Sequence, residues 1–462
     1  MSDAVSSTNA TGSTYRPGRA GASGARTKLN NRLTILLCLV VFVAPVALGS
    51  NRPLSWATWA VVMGAISLVS AIVMARTTER FRIGLDRLRL ESMLFAILLF
   101  YLVFQQLPLG FSHIPNEPGL DISAAQISVA PGATLLTTLR MLTFGLFTFW
   151  FLQAAANGDR RKRILDILLI IVVVHALYAL VALFQLGDTI LGADKWAYWG
   201  SATGTFVNRN SFATFLALGA GLASASLGGV LSSGRRDDRG GSAMLYIVAL
   251  VILLVTTIAT NSRMGLLVWC VAATIPMVAL LAKTRIPRAG VGLALAGVTL
   301  AAIVILIYFG STMIERLGGL DQDIGLRTAL YTQTQQMVLS RPWTGYGGGA
   351  FENAFYLFHQ LDLSIDLNWN RAHNTYLGLW AELGLVAGSI PILIIAIIGW
   401  RIQSGLSREG GSWTAQAAAL SALGAGGIHS LFDFSLEIQA NTFLFLAICA
   451  TGLSASLMRR EK

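Results

Sequence analysis

The stretch WNRAHNTYLGLWAELG, residues 369–384, gathers ionisable side chains where an apolar run begins. Arg371 and His373 stand before the run, Asn374 follows the histidine, and Glu382 lies within the run. Histidine titrates near neutral pH and is suited to proton transfer. Arginine stays charged and binds phosphate through paired hydrogen bonds. The stretch therefore indicates chemistry on a charged substrate at a membrane surface, or more simply the capped start of a buried helix.

Further arginines stand at the edges of other apolar runs, within TGTFVNRNSFA, TNSRMG and DIGLRTALY. These are Arg209, Arg263 and Arg327. An arginine in this position is often only an interfacial anchor or a helix cap. If several of them converge, however, their guanidinium groups could form a cradle for a diphosphate.

His429 and Asp433 lie four residues apart, which places both on one face of a helix. They could orient each other or bind a glycan, or they could cap a helix at the interface. Glu382 is nine residues past His373, about 13 Å deeper on a straight helix. An ionisable group within a span is a functional candidate by default, although a hydrogen-bonded packing role fits equally well.

The glycine-rich stretch SRPWTGYGGGAF, residues 340–351, precedes this region. Its backbone N–H groups could approach an anion or a glycan closely. The alternative is a flexible turn. No strand precedes the stretch and no Lys-Ser/Thr pair follows it, so it does not predict a nucleotide site.

Composition identifies the class of protein that must position these groups. Of 462 residues, 54% are hydrophobic and only 12% are charged, which predicts a polytopic membrane protein. The apolar runs approach the ~20 residues of a membrane-crossing helix, so we predict an all-α fold with about twelve spans. The predicted spans are 33–50, 57–75, 91–109, 135–156, 164–186, 211–232, 243–259, 264–282, 289–309, 374–400, 412–430 and 439–456.

Lysine and arginine predict the orientation, because short loops rich in them stay cytoplasmic. Most of the 34 basic residues fall in alternate connections, which places both termini in the cytoplasm and a large loop, 310–373, on the outer side between spans nine and ten. We predict a disordered basic tail over 1–32, a transmembrane domain over 33–456 and a short cytoplasmic tail over 457–462. The net charge of +11 fits this topology and the acidic inner leaflet, and does not indicate nucleic-acid binding.

Two further patterns concern order and metals. The loop 310–373 is rich in aromatic residues, which predicts ordered, short amphipathic helices on the membrane face. The three cysteines are far apart in sequence and lack metal-ligand spacing, so we predict no metal site.

Several of these segments resemble the superfamily of O-antigen ligases and Wzy-type polysaccharide polymerases of the bacterial inner membrane. The similar stretches are GTFVNRNSFA, TNSRMG, PWTGYGGGAF and RAHNTYLGLWAELGLVAG. The ligase motif fits at His373, Asn374 and Gly384, while Ala387 stands at its last position and Gly388 follows one residue late.

The resemblance implies glycan transfer at the periplasmic face from an undecaprenyl-diphosphate-linked donor, in the lipid bilayer, by a metal-independent, inverting glycosyltransferase of the C-type without a cofactor. It implies that Arg209, Arg263 and Arg327 bind the diphosphate and that His373 activates or positions the acceptor hydroxyl. Supporting candidates are Arg371, Asn374, Glu382, His429 and Asp433.

The acceptor remains open at this point. HSLFDF, residues 429–434, resembles members that polymerise exopolysaccharide, which favours transfer to the next lipid-linked repeat unit over transfer to lipid A core by a ligase. A lipid-linked glycan transporter or flippase is an alternative of another class, but such proteins usually show repeat symmetry between halves. An inactive member that works with other polysaccharide-assembly proteins is a third possibility.

Overall fold

A computed structural model of the chain describes residues 18–77, 81–110, 112–113, 123–233, 239–284, 320–364, 368–407 and 413–458. The predicted ninth span, 289–309, and about half of the predicted basic tail, together with the C-terminal residues 459–462, lie outside the described residues.

The described residues are mainly helical. The helices are α1 Gly18–Val43, α2 Pro53–Thr77, α3 Arg89–Phe104, α4 Pro131–Ala154, α5 Gly158–Phe184, α6 Arg209–Ser232, α7 Arg239–Ala259, α8 Arg263–Lys283, α9 Leu320–Ser340, α10 Phe351–Phe355, α11 Thr375–Leu406, α12 Thr414–His429 and α13 Gln439–Leu457. Two short antiparallel hairpins pair β1 Ser112–His113 with β2 Ser123–Ala124, and β3 Thr189–Ile190 with β4 Ala193–Asp194.

Eight of the described helices are long and apolar enough to cross a membrane: α2, α4, α5, α6, α7, α8, α11 and α13. The prediction of a helical, polytopic membrane protein is confirmed at this level. Three further predicted spans coincide with shorter helices, namely the apolar part of α1 at Asn30–Val43, α3 and α12. The count of twelve spans therefore stays a prediction.

Helices α6, α8 and α12 pack against one another at the centre of the bundle through small residues. A side chain at Gly221 of α6 would collide with Ser421 of α12. Ser421 Oγ donates a hydrogen bond to the Ala272 carbonyl of α8 at 2.6 Å. Ser224 of α6 donates likewise to the Ala273 carbonyl at 2.6 Å. Small residues let helix backbones approach closely and satisfy polar groups between helices in a membrane.

The loop predicted over 310–373 is ordered in its described part, as its aromatic residues indicated. It contains α9, longer than the short helices expected, and the single turn α10. Phe351 and Phe355 of α10 are buried with Tyr346 in an apolar cluster that also includes Leu330 and Met337 of α9. These aromatic side chains therefore form a small core of their own.

Helix α11 is bent at Gly384, where φ is 75° and ψ is 168°. The 32 residues of α11 correspond to about 48 Å, well beyond the ~30 Å of the hydrocarbon layer. The Leu385 N–H at the bend donates to the Pro342 carbonyl at 2.7 Å, so the interrupted helix leaves this group satisfied. The bend separates residues 375–383 from the longer part of α11. The first part of the helix can therefore run in a direction different from that of the longer part.

We expect Gly384→Ala to lower the free energy of unfolding by about 1–3 kcal/mol. A side chain here would need a left-handed backbone and would collide with the Trp343 carbonyl. Thermal unfolding in detergent measures the effect. Gly64→Ala in α2, where the added carbon meets open space, is the control, and equal melting temperatures for both variants would contradict this explanation.

Candidate functional site

His373 and Asp433 meet at the junction between the start of α11 and the turn after α12. His373 Nδ1 lies 3.5 Å from Asp433 Oδ1. The carboxylate side chain is 2% exposed, whereas the imidazole is 29% exposed. The Phe434 ring packs edge-on against the imidazole with 4.8 Å between ring centroids. A buried carboxylate thus contacts one nitrogen of a partly accessible histidine.

The surroundings of Asp433 keep it ionised. Burial alone would raise the pKa of Asp433, but its interactions with His373 and His429 outweigh burial and hold this pKa below its ordinary value. Ser435 Oγ donates a further hydrogen bond to Asp433 Oδ2. A carboxylate with these partners can fix the orientation of the imidazole and stabilise its protonated form.

The backbone places His373 in an unusual conformation directly before α11. Its φ is 50°, in the left-handed region that non-glycine residues rarely adopt. The Asn374 side chain caps the helix, because its oxygen accepts hydrogen bonds from the Tyr376 and Leu377 N–H groups at 3.0 and 3.1 Å. Asn374 Nδ2 also donates to the Leu431 carbonyl at 3.1 Å. Asn374 therefore has a positioning role next to the histidine.

His429 ends α12 and is buried. Its Nδ1 hydrogen-bonds to Thr214 Oγ1 of α6, and its backbone carbonyl accepts from the Asp433 N–H at 2.9 Å. The helix ends between His429 and Asp433, so the two side chains have different partners: His429 hydrogen-bonds to Thr214, whereas Asp433 lies 3.5 Å from His373. His429 links α6 to the turn that carries Asp433.

Arg327 bonds the same turn from α9, and Arg209, the first residue of α6, lies against Tyr198 nearby. Arg327 Nη1, on α9, donates to the Phe432 carbonyl at 2.6 Å, beside Asp433. The Arg209 guanidinium lies 5.5 Å from the centre of the Tyr198 ring. Burial raises the pKa of Tyr198, and the charges of Arg209, Asp433 and Arg327 act on the same phenol. The two arginines, Tyr198 and Asp433 therefore share one neighbourhood.

Arg263 lies near Arg209, because the residues next to the two arginines in the sequence, Ser262 and Asn210, are hydrogen-bonded to each other. Arg209 is the first residue of α6 and Arg263 the first residue of α8. Ser262, which caps α8, donates from Oγ to Asn210 Oδ1 at 2.8 Å. Asn261 donates to the Gly200 carbonyl at 3.1 Å. Two arginines thus occupy adjacent helix starts, whose N–H groups carry partial positive charge.

Arg371 is held by a carboxylate of the chain itself. Its Nε lies 3.1 Å from Glu437 Oε2. Arg140 of α4 donates to the Glu437 carbonyl at 2.7 Å and lies 4.3 Å from the Trp56 ring centre. This arrangement ties α2 and α4 to residues flanking the His373–Asp433 contact.

Glu382 binds the glycine-rich turn. Its carboxylate accepts hydrogen bonds from the Gly349 N–H at 2.7 Å and the Phe351 N–H at 3.3 Å. The Gly348 N–H donates to Gln105 Oε1 at 3.1 Å. These N–H groups do bind acidic oxygens, as their pattern suggested, and those oxygens belong to the Glu382 carboxyl group. Of the two roles considered for Glu382, these contacts support the hydrogen-bonded packing role rather than a role in binding a substrate.

We expect Glu382→Ala to lower the free energy of unfolding by about 2–4 kcal/mol, since it leaves two buried N–H groups without an acceptor. Thermal unfolding in detergent measures this loss. Glu352→Ala is the matched control, because Glu352 accepts an exposed hydrogen bond from Asn368 and should cost less than about 1 kcal/mol. A Glu382 variant as stable as the control would contradict the packing role.

The candidate site thus comprises His373, Asp433, Arg209 and Arg327, with Arg263 at the neighbouring helix start. Sequence reasoning missed Tyr198 and Arg140, which have no motif of their own. Arg140 could still have been identified from the sequence, because a charged residue within a membrane span is costly and therefore usually has a specific role. Among the described residues, no group of three or more His, Cys, Asp or Glu side chains could hold a metal ion.

Comparison with known proteins gives one family. Residues 248–392 match the family model described as O-antigen ligase. The match includes Arg263, Arg327 and His373, whereas Arg209 and Asp433 lie outside it and join the site through the contacts above. No curated protein matches the chain significantly.

Proposed function

We propose, for this member of the O-antigen ligase and polysaccharide polymerase superfamily, that it transfers a glycan from an undecaprenyl-diphosphate carrier to the next lipid-linked repeat unit. The reaction would take place at the periplasmic face of the inner membrane and lengthen an exopolysaccharide or O-antigen. The observation that carries this proposal is the contact of His373 with the ionised, buried Asp433, near Arg209 at the start of α6 and Arg327 on α9.

The diphosphate would lie against Arg209, Arg263 and Arg327. As the bond to the sugar breaks, the leaving diphosphate gains negative charge, and fixed guanidinium groups stabilise that charge most strongly in the transition state. The first N–H groups of α6 and α8 add partial positive charge at the same place. These groups favour a lipid diphosphate as leaving group.

His373 would accept the proton of the acceptor hydroxyl. Its Nδ1 faces Asp433, so Nε2 is the nitrogen that can face a substrate. The hydroxyl oxygen attacks the anomeric carbon, its proton passes to Nε2, and the carbon–oxygen bond to the diphosphate breaks with the electron pair leaving on the lipid diphosphate. Direct displacement inverts the anomeric configuration.

The helix directions support the periplasmic placement. Helices α6, α8 and α11 start at the site, and α12 ends there. All four of these ends fall on the side that the distribution of lysine and arginine assigns to the periplasm. An undecaprenyl-linked glycan displayed in the outer leaflet would meet the site from that side.

Transfer to lipid A core is a second candidate, favoured by the description of the matching family as O-antigen ligase. The deciding experiment supplies the purified protein in nanodiscs with a lipid-linked repeat unit, with and without lipid A core. Longer lipid-linked chains without core support the polymerase, and glycan attached to core supports the ligase. If neither product forms, glycan transfer is contradicted and the transporter alternative gains support.

We expect His373→Ala to lower the turnover rate by about 10²–10⁴-fold, the usual contribution of general acid–base catalysis. Product formation from the lipid-linked repeat unit measures it. His359→Ala is the control, since His359 packs against Phe355 in the loop cluster. An unchanged rate in the His373 variant would exclude it as the base.

We expect single substitutions of Arg209, Arg263 or Arg327 by alanine to lower kcat/KM by about 10²–10³-fold, because each removes a charge from the developing diphosphate. Competition by undecaprenyl diphosphate should weaken in parallel. The control is Arg52→Ala, an exposed arginine before α2. Variants that behave like Arg52→Ala would contradict the diphosphate cradle.

A further inference from the structure

One face of α9 holds both chain segments that carry the histidine and the aspartate. Arg327 and Tyr331 are four residues apart on α9 and so lie on one face. Arg327 Nη1 donates to the Phe432 carbonyl at 2.6 Å, and Tyr331 Oη donates to the His373 carbonyl at 2.9 Å. The helix therefore contacts the backbone directly beside Asp433 and at His373 itself.

The contact with His373 is made at a residue whose backbone has an unfavourable conformation. A left-handed conformation such as that of His373, with φ of 50°, persists only when the surrounding structure imposes it. The Thr375 N–H fixes one side by donating to the Ser430 carbonyl at 2.9 Å. The Tyr331 hydroxyl fixes the carbonyl of His373 from a different element.

The same hydroxyl also interacts with Arg327. Burial raises the pKa of Tyr331, and a hydrogen bond with Arg327 acts on the phenol in the opposite direction. The hydroxyl remains protonated at neutral pH and can donate to the His373 carbonyl while it faces Arg327. An uninterrupted series of contacts thus runs from Arg327 through Tyr331 to the backbone of His373.

We propose that Tyr331 is a positioning residue that holds the His373 backbone in its left-handed conformation and thereby couples the alignment of the imidazole to Arg327. The imidazole stays against Asp433 only while the carbonyl of His373 is held. Binding of the lipid diphosphate at Arg327 would then affect the position of His373 through the Tyr331 hydroxyl. This inference rests on the proposed function for its effect on turnover, but not for its effect on His373 itself.

The first test uses Tyr331→Phe, which removes one oxygen and keeps the ring. We expect kcat with the lipid-linked repeat unit to fall about 10- to 100-fold, the cost of a misaligned catalytic group, while KM for the lipid-linked substrate changes less than about twofold. Tyr356→Phe is the matched control, because its hydroxyl bonds only an exposed Asn368 side chain among the contacts described. An unchanged kcat, or a rise in KM that accounts for the whole loss, overturns the proposal.

The second test needs no turnover. Diethyl pyrocarbonate acylates accessible histidines, and mass spectrometry of the full-length protein follows His373 separately from the buried His429. We expect Tyr331→Phe to change the rate at His373 by about threefold or more, the scale of one lost hydrogen bond, with Tyr356→Phe at the wild-type rate. Equal rates in all three proteins contradict the positioning role, whereas wild-type protein without transferase activity contradicts only the proposed function.

Discussion

The contact between His373 and Asp433 is the interaction on which the site depends. A carboxylate buried to this degree is costly unless charge and hydrogen bonds compensate for its lost hydration. Asp433 obtains them from its contacts with His373, Ser435 and His429. Because His373 precedes α11 and His429 ends α12, the requirement to satisfy one carboxylate fixes where two helices meet.

The rest of the bundle holds this junction in place. Asn441 of α13 donates to the Ser435 and Ser211 carbonyls at 2.9 and 2.8 Å, which ties the Asp433 turn to α6. On the other side, Glu382 and the bend at Gly384 fix the first part of α11 against the glycine-rich turn. The helix start that carries His373 is therefore supported from both sides by packed helices.

Hydropathy predicts most of the fold. The hydrocarbon core of a membrane offers no hydrogen-bonding groups, so each segment that crosses it must be a helix with an apolar run of its own. The caps Ser262 and Asn374 act within a few residues of their own positions, so contacts of this kind are local in sequence. The partners of Glu382, Arg371, Tyr198 and Tyr331 could not be predicted, because each contact joins segments whose separation in sequence carries no signal. The glycine-rich stretch illustrates the limit: the pattern indicated N–H groups that could bind an anion or a glycan, and only the tertiary structure identifies their acceptor as the Glu382 carboxyl group.

The central claim is that His373 and Asp433 work as one unit, and a double-mutant cycle on turnover tests it most directly. Groups that act together show strongly non-additive losses when both are removed. With His373→Ala, Asp433→Asn and the double variant, each shown by thermal unfolding to be folded, we expect the double variant to be no slower than His373→Ala alone. Losses in kcat that multiply in the double variant would contradict the account.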